Sequence, residues 1–309
     1  MAQTLLQLVN QAQAELGIAV SSTVISNTAR PVVQMLNLLN GVGQDLQRDY
    51  EWQALTKRYQ FQIVFYEYTG NTTLDSTTLS TLSSTTGLTS SATSFLVSGS
   101  GIPTGTSLVS VDGGASTAVI SNAATATAST VDLTFSQYLY DFPSDFDRLI
   151  DDTEWDRSDH WQLLGPSTAQ QWEYLFSGWI ATGPRATFRQ LGNKFALWPA
   201  QSSDLYMGFE YVSNLWVAAS ASAALTKTAY AVDTDVATAF PDRLLLTGLK
   251  ARFAMANQRP DAPVYEAQYM KLLSNAKASD AGSATLSMSG RRPSLLIDER
   301  NIPDSFPVS

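Results

Sequence analysis

Cysteine is absent from the chain's 309 residues, and histidine occurs once, as His160. The first absence excludes a disulfide framework and any thiolate metal site, and it suits assembly in a reducing cytoplasm. The second excludes a zinc centre built from several imidazoles. Long apolar runs are also missing, and nothing approaches the roughly eighteen consecutive apolar residues of a membrane-spanning helix. The segment Met1 to Asn10 lacks the basic stretch and unbroken apolar core of a signal peptide. A soluble chain with no membrane partner is therefore expected.

Positive charge is scarce: Lys and Arg number 19 against 28 Asp and Glu, a net charge of −9. No Lys or Arg occurs between Tyr59 and Asp147. This balance, with a pI near 4.6, argues against tight nucleic-acid binding through a basic face. It is compatible with an acidic wall past which DNA slides without sticking.

What is present reads first as helix. Between Thr4 and Leu16, the residues Leu5, Leu6, Leu8, Val9, Ala12 and Leu16 fall on one stripe at helical spacing, and Gly17 reads as the stop. Ser26-Asn27-Thr28 and Pro31 are start signals for a second helix that carries Val32, Val33, Met35, Leu36, Leu39, Val42 and Leu46 on one face. Tyr59 to Tyr68 is aromatic and β-branched, as a strand should be. From Thr69 to Ser136 nearly half the residues are Ser or Thr, with short strand signals at Phe95, Leu108, Ala118 and Val131 separated by Gly-rich turns. That rhythm predicts a small folded β-sandwich rather than a linker.

Tyr138 to Pro143 reads as a strand returning beside Phe61 to Phe65, which would place the two ends of the insert close together. Ser167 to Ser177 reads as a helix capped by Ser167. Strands follow at Ala186 to Leu191, Lys194 to Trp198 and Leu205 to Val212, the first two joined through Gly192-Asn193. Helices resume after Pro241 and again from Val264 to Lys277. After Gly282 the pattern dissolves into Ser, Gly, Arg and Pro. The chain is thus predicted to be α+β, with a helix-bundle core, a small antiparallel β-sheet, an inserted small β-sandwich domain and an extended C-terminal arm.

Few residues carry chemistry. The densest ionisable cluster runs Asp141, Asp145, Asp147, Asp151, Asp152, Glu154, Asp156, Asp159, His160. A carboxylate pair for glycoside cleavage or an oxygen-rich Ca²⁺ site would use such residues, but the EF-hand spacing is missing. A Ser-His-Asp triad around His160 would lack the Gly-x-Ser-x-Gly elbow. Gly41-Val42-Gly43 has no phosphate-loop ending, and its small residues suggest close helix approach instead. Trp155, Trp161, Trp172 and Trp179 suit core or interface positions better than a sugar platform. No catalytic residue, cofactor or metal site is predicted. The tail joins Arg291 and Arg292 to Leu295, Leu296 and Ile297, which suits an arm that orders on a neighbour.

Four stretches now fall into one order. They are the opening helix pair from Leu5 to Asp49-Tyr50-Glu51-Trp52; Tyr140-Asp141-Phe142-Pro143-Ser144-Asp145-Phe146-Asp147-Arg148; Phe188 to Lys194 with Leu197-Trp198-Pro199-Ala200 and Phe209 to Ser213; and Asp233-Thr234-Asp235 with Phe240 to Leu246. Together they resemble the tailed-bacteriophage head-to-tail adaptor family, also called connector, head-completion or tail tubular proteins. The Ser/Thr-rich insert departs from that pattern and resembles small Ig-like domains of phage structural proteins.

The resemblance implies a structural virion protein of the head-tail junction, assembled in the bacterial host cytoplasm. It implies a homo-oligomeric ring of twelve copies that joins the portal protein to the tail tube or nozzle protein. Genomic DNA would pass through the lumen without sequence-specific binding. On this reading residues 1–68 and 137–282 form the adaptor core, residues 69–136 the insert, and residues 283–309 the portal-docking arm, with Arg291, Arg292, Leu295, Leu296 and Ile297 making the contact. Two other readings use the same residues. One is a carboxylate-dependent glycan hydrolase of the tail, and the other a glycan-binding or decoration module acting through the insert.

Overall fold

The computed structural model describes residues 2–88, 92–176 and 186–280. The expected arm, with Arg291, Arg292, Leu295, Leu296 and Ile297, lies outside the described residues, as does Trp179.

Two helices open the fold, α1 (Leu5–Glu15) and α2 (Arg30–Asp49). Thr4 and Gln7 cap α1 reciprocally. The Gln7 N–H donates to the Thr4 hydroxyl at 3.3 Å, and the Thr4 N–H donates to the Gln7 side-chain oxygen at 3.0 Å. Gly17, at φ +71°, follows the helix in the left-handed conformation that glycine adopts without penalty. The start of α2 differs from the sequence expectation. Its cap is Ala29, which makes no side-chain bond, and proline sits in the first turn. Asn27 instead closes a turn just ahead, accepting from the Ala29 N–H at 2.8 Å.

β1 (Thr56–Gln62) and β2 (Phe65–Thr72) split the single strand expected from Tyr59 to Tyr68. β3 (Thr78–Leu79), β4 (Phe95–Gly99), β5 (Leu108–Asp112), β6 (Thr117–Ile120) and β7 (Ala128–Gln137) occupy the Ser/Thr-rich stretch. Next come β8 (Leu139–Asp141), β9 (Phe146–Leu149), β10 (Trp155–Asp156), β11 (Trp161–Gln162) and α3 (Ala169–Phe176). β12 (Thr187–Leu191), β13 (Lys194–Trp198), β14 (Tyr206–Ser213), β15 (Val217–Ala218) and β16 (Leu225–Lys227) lead into α4 (Asp242–Ala256) and α5 (Ala262–Asp280).

This architecture overturns the helix-bundle core. Among the described residues the chain is mostly β, with 16 strands in five antiparallel sheets and only 5 helices. The helices share their core with strands: Leu5, Leu8, Met35, Leu39 and Leu249 pack in one cluster with Val212, Trp216 and Val217. The physical reason is strand length. β10, β11 and β15 have 2 residues each, too few for an alternating pattern to show, whereas the α1 and α2 stripes are plain in the sequence.

The sheets β2-β7-β4 and β3-β6-β5 enclose their own cluster, including Leu79, Phe95, Leu108, Ile120, Leu133 and Phe135. Bridges join them at both sides, Asn71 to Ser80 and Leu96 to Ser107, so neither sheet presents a long unpaired edge. β2 runs across residue 69, the expected start of the insert. A larger sheet runs β1-β14-β10-β11, with β9 also on β14. β8 lies beside Phe61 to Phe65 through its side chains, the Tyr140 ring 4.5 Å from that of Phe61. The insert's ends meet, with Phe65 opposite Ser136, but the ladder partner of β8 is β13, with Tyr140 opposite Phe195. The Gly192-Asn193 turn joins β12 to β13 as expected, with Leu191 opposite Lys194 and Gly192 at φ +60°.

Asp233-Thr234-Asp235 fastens the opening helix pair to the rest of the chain. The Asp233 carboxylate accepts from the N–H groups of Val24 at 3.1 Å and Ile25 at 2.9 Å, just before α2. The Leu5 N–H, in the first turn of α1, donates to the Asp235 carbonyl at 2.8 Å. The Leu5 bond satisfies an amide group that a helix start otherwise leaves open, and the other two fix the loop that leads into α2.

Candidate functional site

Most of the acidic segment holds strands together. Asp141 pairs with Lys194 between β8 and β13. Asp145 is a hub: it accepts from Lys57 of β1 at 2.6 Å and from Tyr211 and Ser213 of β14 at 2.8 Å each. Burial pushes its carboxyl up, but these three donors outweigh that and hold it below the ordinary aspartate range. Asp147 pairs with Arg148 at 3.0 Å and more loosely with Arg48 at 3.9 Å. Arg148 in turn donates to the Tyr50 carbonyl at 3.0 Å, where a guanidinium suits the negative end of α2. Asp156, buried, accepts from the N–H groups of Ser158 and Asp159 at 2.9 and 3.2 Å. Asp151, Asp152, Asp159 and His160 are exposed, with Asp152 and His160 in left-handed turns at φ +66° and +57°.

Glu154 is the exception, and sequence reasoning did not separate it from its neighbours. It is 2% exposed, and its Oε1 has no hydrogen-bond partner. Burial, aided by the charges of Asp151 and Asp152, pushes its carboxyl up to about 7. An acid raised in the folded state stabilises the fold fully below its unfolded value near 4.3, and that stability is lost as pH rises towards 7. Glu154→Gln is therefore expected to stabilise the protein by up to about 3 kcal/mol at pH 8 and to do little near pH 4. Thermal unfolding at both pH values checks this; equal shifts at the two would contradict it.

Trp172 packs against Phe176 in a cluster with Trp198, and Trp161 is 40% exposed. Among the described residues, two of the surface clefts are polar. One, of about 710 Å³, lies between α1, α4 and α5 and is lined by Gln11, Glu15, Arg243, Lys250 and Lys271 among others. Lys250 pairs with Glu15 there and holds its carboxyl below the ordinary range. The other, of about 310 Å³, lies against the C-terminal half of α2, lined by Gln44, Asp45, Arg48, Asp147, Asn214 and Trp216 among others. Among the described residues no group of three or more His, Asp or Glu side chains is placed to hold a metal ion. No described helix is long and apolar enough to cross a membrane.

The family model for SU10 adaptor protein matches residues 114–293, more than half of the chain. The chain belongs to the SU10 adaptor protein family. This is a phage head-to-tail adaptor family, so the adaptor is a phage structural protein and a component of the virion. A search of the curated proteins finds no match. The matched span of the adaptor takes in Tyr140 to Arg148, Phe188 to Ser213 and Asp233 to Leu246, and leaves the opening helix pair outside. In this adaptor the first of those stretches is a strand-fastening network around Asp145, and the last is the clasp on α1 and α2.

Proposed function

We propose that this adaptor forms a ring of twelve copies at the head-tail junction, joining the portal to the tail tube or nozzle. Each copy contacts the next through two different surfaces, so the ring closes heterologously. Genomic DNA slides through the lumen without sequence-specific contact, past walls that take their sign from the net charge of −9. Residues 1–68 and 137–282 form the ring body, residues 69–136 an inserted unit, and residues 283–309 an arm that orders on the portal. Assembly takes place in the host cytoplasm after the portal exists.

The observation that carries this reading is the family match over residues 114–293. The two polar clefts, lined largely by charged and amide side chains, suit contacts with protein. Co-sedimentation of the full chain with its portal tests the arm. Joint replacement of Arg291 and Arg292 by Ala and of Leu295, Leu296 and Ile297 by Ser is expected to weaken binding at least tenfold. Undiminished binding would overturn the arm's role, and no binding by the native chain would overturn the adaptor ring.

A further inference from the structure

We propose that residues 284–289 of this chain add a strand to the open edge of β1, running parallel to it. The first support is the ladder itself. Among the described residues β1 pairs with β14 alone. The Thr56 N–H turns away from β14 to the Trp52 carbonyl at 3.1 Å, whereas the Ile63 N–H, just past β1, reaches across to the Leu205 carbonyl at 2.9 Å. Bonded and non-bonded positions alternate along an antiparallel pair, so Lys57, Tyr59 and Phe61 are the residues that bond to β14. Arg58, Gln60 and Gln62 then turn three N–H and three C=O groups outward, and all three residues are exposed. β1 keeps its register for 7 residues with neither bulge nor proline to blunt that edge.

The second support is where the described chain stops. Asp280, at the end of α5, is bound to Gln53: its carboxylate accepts from the Gln53 N–H at 3.0 Å, and its carbonyl accepts from the Gln53 side-chain amide at 2.6 Å. Gln53 opens the single helical turn Gln53–Leu55, which runs straight into Thr56 of β1. The segment after Asp280 therefore sets out from the start of β1, and this gives the parallel direction. From Gln53 through that turn to Arg58 the chain advances roughly 13 Å. Four extended residues cover about the same distance, so residue 284 reaches the first open position.

The third support is pattern. Ala284-Thr285-Leu286-Ser287-Met288-Ser289 alternates apolar and polar side chains without a charge, bounded by Gly282-Ser283 and Gly290. The edge it meets alternates in the same way. Tyr59 and Phe61 are half-buried on one face, packed against the cluster of Phe195 and Phe209, while Arg58, Gln60 and Gln62 stand exposed on the other. A strand that sets Ala284, Leu286 and Met288 beside Tyr59 and Phe61 extends the apolar face and leaves Thr285, Ser287 and Ser289 towards solvent. The root of the arm is thereby fixed, and Arg291 leaves from the far end of β1. This goes beyond the ring reading and does not depend on it, because it concerns the isolated chain.

The test is amide hydrogen exchange of the full chain, read by mass spectrometry on peptides that cover residues 281–290. Exchange there is expected to be at least tenfold slower than in an unpaired chain, at any protein concentration. Gln60→Pro removes an outward N–H and leaves the bonds from β1 to β14 in place. It is expected to return residues 284–289 to the unpaired rate while peptides from β14 stay protected. Joint replacement of Leu286 and Met288 by Ser, which leaves β1 untouched, is expected to do the same. Fast exchange in the native chain would overturn the proposal, as would protection that survives either change while β14 stays protected. Protection that grows with protein concentration would overturn it in favour of a neighbouring copy's segment. None of these readouts involves the portal, so failure of portal binding leaves this result standing.

Discussion

Asp235→Ala is expected to cost about 1–3 kcal/mol of folding stability, because it removes a buried carboxylate that three donors share. Asp235 is 1% exposed and accepts from Lys227 at 2.6 Å and from the N–H groups of Ala231 and Val232 at 2.8 and 2.9 Å. Removing it leaves an ammonium and two amides without their acceptor. The damage should spread, since the Asp235 carbonyl holds the Leu5 N–H and Val236 bridges to both Thr4 and Ala218. Burial pushes the Asp235 carboxyl up, yet Lys227 and the two N–H donors outweigh it and hold the group below its ordinary value. A depressed acid contributes stability that is present above its unfolded value near 4 and is lost as pH falls through its folded value. Urea unfolding at pH 7 should show the full loss, and native and variant curves should converge in acid. A cost that stayed constant down to pH 2 would contradict the role given to the charge.

Gly43→Ala should reverse the usual sign of a helix substitution. On an open helical face, alanine is better than glycine by roughly 1 kcal/mol. A Cβ at Gly43, however, would fall 2.2 Å from the Trp216 ring, which is 1% exposed and wedged between Tyr230 and Phe240. The ring has no free direction, so the substitution is expected to cost about 3 kcal/mol through overpacking. Gly41, two positions earlier in the same helix, provides the control. Its added Cβ would meet only Arg252 Nη1 at 3.1 Å, the far end of a flexible side chain, so Gly41→Ala should be neutral or mildly stabilising. Combining Gly43→Ala with Trp216→Phe should recover part of the loss, a non-additivity that urea midpoints of the four proteins measure. Equal effects at Gly41 and Gly43 would contradict the close approach.

The contrast between these two glycines shows how much of the fold was legible. Gly41-Val42-Gly43 marked a close approach correctly, but the sequence could not show what approaches. The expected partner was another helix, whereas Gly43 lies under an indole from the turn between β14 and β15. Long elements with a period, such as α1, α2 and the β12–β13 hairpin, were readable because side chains repeat on one face. Two-residue strands carry no period, and that hid the sheet around β14 and inflated the helical share. The ladder partner of β8 was missed for a related reason: Tyr140 packs on Phe61 and also stands opposite Phe195, and only the fold decides which of them shares its ladder.

The candidate site divides the same way. The acidic segment stood out by composition, but its partners are 88 residues upstream at Lys57 and 66 to 68 residues downstream at Tyr211 and Ser213, separations no local pattern reveals. Glu154 reads in sequence like its acidic neighbours, and only burial sets it apart. The family, by contrast, was legible in short motifs whose structural work is now visible: Asp145 fastens β1 to β14, and Asp233 and Asp235 clasp the opening helices.

The most direct test of the ring adaptor is the mass of the purified chain, alone and after mixing with its portal, by mass photometry. A monomer near 33.5 kDa that joins the portal in a fixed ring stoichiometry of twelve copies is the predicted result. Closed rings that form rapidly without portal, or a chain that stays monomeric in the portal's presence, would contradict it.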